Sequence, residues 1–211
     1  MKISAIVPAY NEAERIGAVL EPLLAAPSVD EIVVVDDGST DGTAEVAQRY
    51  GVKVVRLGEN RGKGAAMAAG VREANGDTLL FLDADLTGLT PKHLEDLVNA
   101  YKAGDADMVI AVFRKGRPAT DFSQRLVPFL SGQRIMPKRL WEKAEGLAKE
   151  SNFGIEVALT KLAFREGWRQ KTVFWEGVSH IRKEEKRGFW WGFLDRLRMY
   201  SHVVRSIFRK I

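Results

Sequence analysis

The chain has 211 residues, of which 45% are hydrophobic and 28% charged, and it contains no cysteine. This composition is typical of one soluble globular domain, and the absence of cysteine excludes a disulfide framework and a thiolate metal site. The net charge of +4 is unevenly distributed, because residues 181–211 hold nine Lys/Arg and three Asp/Glu, whereas residues 1–180 carry a small negative excess.

Strand and helix signals alternate along the first hundred residues. Short runs rich in β-branched residues are typical of buried parallel strands, and the segments between them have helical spacing or helix-capping residues. This alternation predicts an α/β fold with a mostly parallel sheet flanked by helices on both faces. Strands are predicted at 3–7, 31–35, 52–57, 78–82, 108–113 and 172–179, and helices at 12–24, after 43, at 62–74 and from Pro91 onward.

No segment is predicted to cross a membrane or to direct export. Residues 1–8 are too short an apolar stretch for a signal peptide, and no apolar run approaches the roughly 20 residues of a spanning helix. We therefore expect a cytoplasmic protein.

Two carboxylates separated by one residue follow the fourth predicted strand. In an extended segment, residues i and i+2 point the same way, so Asp83 and Asp85 could reach one divalent cation. Mg²⁺ and Mn²⁺ prefer oxygen ligands, and Mg²⁺ usually binds one or two carboxylates together with substrate phosphates. Taken alone, the pattern is more often a solvated loop or a helix cap.

Three other polar loops also follow predicted strands, at 8–12, 36–39 and 59–64. In sheets of this type, ligands bind beyond the carboxyl ends of the strands. All four loops are therefore expected at one edge of the sheet, where they would form a single site.

The four loops, in this order and spacing, resemble the motifs of the family 2 glycosyltransferases with the Rossmann-like GT-A fold. Among these they are similar to the polyprenyl-phosphate enzymes of the dolichyl-phosphate-mannose-synthase type. The resemblance is strong over residues 2–115 and weaker from there to His180.

The resemblance implies a metal-dependent transfer of a sugar from a nucleotide-diphosphate sugar, with a UDP-sugar favoured and Mn²⁺ or Mg²⁺ as the cofactor. The implied acceptor is a lipid phosphate such as polyprenyl phosphate, or another phosphorylated or hydroxyl compound. A small soluble acceptor such as phosphoglycerate is the alternative.

The resemblance also implies roles for residues of the donor site. Contacts with the base and ribose are expected from Pro8, Tyr10, Glu12 and Asp37. Lys63 lies between two glycines at the start of a predicted helix, and it is expected near the diphosphate or the base, since a helix N-terminus favours anions.

The metal site that the family implies centres on Asp85 as the direct ligand. Asp83 is expected to reach the ribose or a metal-bound water, and Ala84 lies between the two as part of the same donor contact. His180 follows the last predicted strand and is the candidate third ligand, the alternative being a surface histidine beside a basic run. Imidazole is a usual ligand of Mn²⁺ and an uncommon ligand of Mg²⁺.

Two further residues are candidates for the transfer step. Transfer to a hydroxyl requires a general base, and Glu156, early in a helix, is the candidate; bracing of that helix is its alternative role. A phosphate acceptor is already ionised, and Arg134 would then serve as an anion clamp.

The basic C-terminal segment is predicted to be separate from a catalytic domain at 1–180. Within 181–211, residues 188–211 have the apolar stripe of an amphipathic helix. This helix could pack on the domain or form the interface of a homodimer. It could also bind peripherally to the inner face of a membrane that contains anionic lipids. A nucleic-acid partner is not expected, because the positive charge lies at one end of a slightly acidic body.

Residues 114–130 are predicted to form a mobile loop over the active site followed by a helix. Two other functions remain open at this point. A sugar-phosphate nucleotidyltransferase would need a Gly-rich loop directly after the first strand, which residues 8–12 do not provide. A catalytically silent member that binds only nucleotide or membrane is opposed by the intact pair of carboxylates.

Overall fold

The structure is a computed structural model, and it describes residues 1–114, 131–150 and 155–180. The predicted loop at 114–130 lies outside these residues except for Arg114, and so does the predicted amphipathic helix at 188–211. Residues 1–179 form one compact unit and residues 180–211 a second, of which only His180 is described. The predicted boundary after residue 180 stays a prediction.

Helices and strands alternate as the sequence predicts. The first half of the described chain contains β1 (Ile3–Ala9), α1 (Gly17–Leu24), β2 (Glu31–Asp36), α2 (Thr43–Arg49), β3 (Lys53–Arg56), α3 (Lys63–Glu73), β4 (Thr78–Phe81), β5 (Leu86–Thr87) and α4 (Pro91–Lys102). The second half contains β6 (Met108–Arg114), β7 (Arg134–Pro137), α5 (Lys138–Glu150), α6 (Ile155–Arg165), β8 (Gln170–Glu176) and β9 (Ser179–His180).

Seven of these strands form one sheet in the order β3-β2-β1-β4-β7-β6-β8, and β5 pairs with β9 in a separate two-stranded sheet. All neighbours in the large sheet are parallel except where β7 lies between β4 and β6. The predicted α/β fold with a mostly parallel sheet is therefore confirmed. Strand β7 was not predicted, because its two apolar residues are too short a run to show periodicity.

Side chains alternate between two cores, one on each face of the sheet. Ile3, Ala5 and Val7 of β1 pack with apolar residues of α1 and α4, whereas Ile6 packs with residues of α3, α5 and α6 on the other face. This two-residue period is that of a strand buried on both sides. None of the helices that the structure describes is long and apolar enough to cross a membrane.

The predicted first helix begins later than expected. Residues 12–16 form turns, since the N–H groups of Arg15 and Ile16 both donate to the carbonyl oxygen of Glu12 at 2.9 Å. Helix α1 then runs from Gly17. The loop between β1 and α1 is longer as a result.

The amino edge of the sheet is held by Glu31 at the start of β2. Its carboxylate accepts hydrogen bonds from the Ser4 hydroxyl, from the Asn75 backbone N–H at 2.8 Å and from the Asn75 side-chain amide at 2.6 Å. These bonds join β1, β2 and the turn before β4. Partial burial tends to raise the pKa of Glu31, but the hydrogen bonds from Ser4 and Asn75 outweigh it and lower the pKa below the ordinary value of 4.5.

We expect the variant Glu31→Gln to lose about 1 kcal/mol of stability at neutral pH, because hydrogen bonds to a charged acceptor are lost. A lowered native pKa means that the unfolded state binds the proton more tightly. The contribution is therefore present above the unfolded pKa and is lost as the pH falls through the native pKa. Urea denaturation at pH 7 and at pH 3 measures this, and an equal difference between wild type and variant at both pH values would contradict it.

Candidate functional site

The polar loops lie at one edge of the sheet, as predicted. The parallel registers Ala9↔Asp36 and Asp36↔Arg56 place the ends of β1, β2 and β3 side by side. Strand β4 lies parallel on the other side of β1, so its end reaches the same edge. Strand β7 runs the opposite way, and its first residue, Arg134, pairs with Phe81 at the end of β4.

The loop after β1 is fastened to the loop after β2 through Asn11. Asn11 has a positive φ of 55°, which asparagine tolerates better than most residues. Its N–H donates to Ser39 Oγ at 2.9 Å, and its Oδ1 accepts from the Thr40 N–H at 2.9 Å. These two hydrogen bonds therefore hold the loop after β1 against the loop after β2.

The predicted base and ribose contacts on this loop differ in exposure. Tyr10 is 45% exposed and so is available to stack on a ring. Pro8 is half-buried. Glu12 is buried, and Arg15 Nη1 lies 3.2 Å from its Oε2. Binding of a base by these residues stays a prediction.

Asp37 fastens the loop that leads into α3. Its carboxylate is buried and accepts from the N–H groups of Arg61 at 2.9 Å and Gly62 at 2.8 Å. Gly62 has a φ of 86°, which favours glycine, and it immediately precedes the helix. In this structure Asp37 thus positions the start of α3, and its predicted contact with the nucleotide is untested.

Asp83, Lys63 and Gln133 form the polar centre of the edge. Lys63 Nζ lies 2.5 Å from Asp83 Oδ1, and Gln133 Nε2 donates to Asp83 Oδ2 at 2.7 Å. Gly132 approaches so closely that a Cβ there would lie 2.7 Å from both Asp83 Oδ1 and Lys63 Nζ. Any side chain at position 132 would therefore displace this pair.

The three predicted metal ligands come together. Asp83, Asp85 and His180 each offer one ligand atom, and these atoms lie within 4.8 Å of one another. The pairing of β5 with β9 brings His180 here, supported by a hydrogen bond from Thr87 Oγ1 to the Ser179 carbonyl oxygen at 3.1 Å. Two carboxylates and an imidazole suit a divalent ion of the Mn²⁺ type, and Mg²⁺ less well.

The two residues predicted for the transfer step are placed differently. Arg134 is fully buried and donates from Nη2 to the Ser131 carbonyl oxygen. Glu156 is the second residue of α6, and its side chain lies outside the described atoms. Their roles as anion clamp and general base stay predictions.

Gln133 and Gly132 contact Asp83, although the sequence placed them only in the region of weaker family resemblance and gave them no role. They lie 50 and 49 positions along the chain from Asp83, and no local pattern reports a contact over that separation. The sequence signal at these two positions was the weaker family resemblance, which does not say what they contact.

Comparison with known proteins agrees with the fold and the motifs. The family model described as "Glycosyl transferase family 2" matches residues 4–167, so the chain belongs to this family. The predicted family is thereby confirmed.

Two curated relatives match a part of the chain. A dolichyl-phosphate beta-glucosyltransferase of Drosophila melanogaster is 43% identical over 101 residues, which cover 40% of this chain and 31% of the relative. A dodecaprenyl-phosphate galacturonate synthase of Rhizobium johnstonii is 33% identical over 127 residues, which cover 56% of this chain and 37% of the relative. The match thus spans about a third of the length of these relatives.

Solved structures of glucosyl-3-phosphoglycerate synthase from Mycobacterium tuberculosis share the fold. One, in complex with Mn²⁺, UDP-glucose and phosphoglyceric acid, has a TM-score of 0.73 and 26% identity and covers 96% of this chain and 77% of that chain. Another, with Mg²⁺ and UDP, has a TM-score of 0.74 and 25% identity and covers 98% and 78%. The predicted GT-A fold is confirmed. The cofactor prediction agrees with the metals bound in these neighbours.

Proposed function

We propose that this chain is a metal-dependent glycosyltransferase that moves a sugar from a UDP-sugar to a phosphorylated acceptor, with a polyprenyl phosphate favoured. The observation that carries the proposal is the group of Asp83, Asp85 and His180 at the carboxyl edge of the sheet. Family membership supports the reaction class.

The donor would lie along the loops at the sheet edge. Tyr10 offers an exposed ring for the base. The start of α3 offers backbone N–H groups and the Lys63 ammonium for the diphosphate. A bound divalent ion would supply neutralisation of the negative charge on the departing diphosphate.

The acceptor is proposed from the relatives and from charge. The two curated relatives described above are named for lipid-phosphate acceptors. A phosphate oxygen is already ionised, so its attack requires no general base at Glu156. Phosphoglycerate is the second candidate, because that compound is bound in a similar structure. Its hydroxyl would require a base.

Isothermal titration of the protein with UDP and with GDP, each with and without Mn²⁺, tests the donor site. We expect UDP to bind with measurable heat only when Mn²⁺ is present, and GDP to bind more weakly. Release of UDP from UDP-glucose is then measured with a polyprenyl phosphate and with 3-phosphoglycerate.

Each outcome of this experiment decides one point. Turnover with the lipid phosphate alone supports the proposed acceptor, and turnover with phosphoglycerate alone replaces it with the second candidate. Binding of UDP without turnover on any acceptor would favour a catalytically silent member. The absence of any manganese-dependent nucleotide binding would contradict the proposal as a whole.

A further inference from the structure

Lys63 forms an ion pair with Asp83, one of the carboxylates that the metal would use. Its ammonium lies 2.5 Å from Asp83 Oδ1, while the other oxygen of Asp83 is held by the amide of Gln133 at 2.7 Å. Both oxygens of Asp83 are thus engaged by the chain itself. The Asp83 side chain is only 17% exposed, so this ion pair is partly shielded from water.

A divalent cation at the same group would meet this ammonium. The ligand atoms of Asp83, Asp85 and His180 lie within 4.8 Å of one another, so an ion bound among them would be a near neighbour of the Lys63 Nζ. The positive charges of the divalent ion and of the Lys63 ammonium would repel each other strongly, because water is partly excluded around Asp83. The ammonium and the divalent ion therefore compete for Asp83.

The Lys63 side chain can leave Asp83 without any change in the backbone. The N–H of Gly62 is fixed by Asp37 Oδ2 at 2.8 Å, which holds the start of α3 in place. The Lys63 side chain is 39% exposed, and its four-carbon stem is flexible. An ammonium that leaves Asp83 remains at the N-terminal end of α3, which is where the proposed function places the diphosphate.

We propose that Lys63 is an internal counter-cation of the metal carboxylates, displaced from Asp83 by the divalent ion and taken up by the donor diphosphate. This inference rests on the proposed function. It makes metal and nucleotide bind cooperatively, because each ligand removes an obstacle to the other. Such coupling is reciprocal: UDP tightens metal binding by the same factor by which the metal tightens UDP binding.

Titration with Mn²⁺ alone, followed by the electron paramagnetic resonance signal of the free ion, tests this directly. In the variant Lys63→Met the competitor is removed, and we expect Mn²⁺ to bind about tenfold more tightly than in wild type in the absence of nucleotide. The additional tightening caused by UDP should shrink in the same variant. The variant Lys63→Arg keeps the charge and should retain the weak affinity of wild type.

Lys53→Met is the matched control. The Lys53 side chain is 41% exposed, close to the value for Lys63. Its Nζ lies 2.6 Å from Glu73 Oε2 near the C-terminal end of α3. Its removal should leave Mn²⁺ affinity unchanged. Circular dichroism melting curves verify that each variant is folded.

Unchanged or weaker Mn²⁺ binding by Lys63→Met overturns the inference. If wild type then still binds Mn²⁺ and UDP together, the proposed function stands and only the role of Lys63 falls. If wild type binds no Mn²⁺ either with or without UDP, both fall. Tighter binding in Lys53→Met as well would reduce the effect to net charge and would also overturn the specific role of Lys63.

Discussion

Alanine at position 85 is expected to lower the manganese-dependent affinity for UDP by at least about a hundredfold, and to abolish turnover. Asp85 is half-buried within the group of three ligands, two residues beyond Asp83. A ligand that holds a divalent ion against a diphosphate contributes several kcal/mol, and about 2.7 kcal/mol corresponds to a hundredfold in affinity. Titration of Asp85→Ala with UDP, with and without Mn²⁺, measures the effect.

Asp105→Ala is the matched control for this experiment. Asp105 is an exposed carboxylate just before β6, at the opposite edge of the sheet, where it pairs with Lys171 at 2.8 Å. Its loss changes the net charge by the same amount without touching the site, and UDP affinity should stay within about twofold of wild type. Retention of manganese-dependent affinity by Asp85→Ala would contradict the proposed metal site.

The variant Trp141→Ala is expected to lose about 3–5 kcal/mol of stability. Trp141 of α5 is fully buried, and its ring centroid lies 4.8 Å from that of Phe81 at the end of β4. Removing the indole leaves a cavity next to Phe81, two residues before Asp83. Since the free energy of unfolding of a domain is commonly only about 5–15 kcal/mol, this loss is a large fraction of it. Urea denaturation followed by circular dichroism measures it.

The variant Trp141→Phe tests whether the stability lost in Trp141→Ala comes from the lost side-chain volume. A phenyl ring retains much of the packing against Phe81 and should cost less than the alanine variant. UDP affinity under native conditions gives a second measurement, because a shift of Phe81 would also disturb Asp83. A loss of less than about 1 kcal/mol in Trp141→Ala would show that this contact is not central to the core.

The parallel half of the fold could be predicted because its signals are local. The apolar run at 31–35 and the turn residues before α2 each indicate the local backbone conformation. Strand β7 and the pair β5–β9 could not be predicted in this way. They contain four, two and two residues, and a period of two requires a longer run to be recognised.

In the candidate site, too, residues with local signals could be predicted and residues with long-range contacts could not. Asp83 and Asp85 were found because they follow a strand directly, and Lys63 because it lies between glycines at a helix start. Gln133 contacts Asp83 across 50 positions of sequence, and its residue type is common on any surface. The part that Asp37 plays in holding Gly62 likewise needed the tertiary structure, because a carboxylate in a turn has many possible partners.

The reversed direction of β7 has a practical consequence for engineering. Because β6 ends and β7 begins at the same edge of the sheet, Arg114 and Ser131 are two anchors on that side of the sheet. Segments exchanged between relatives at these two anchors would leave the strand registers untouched.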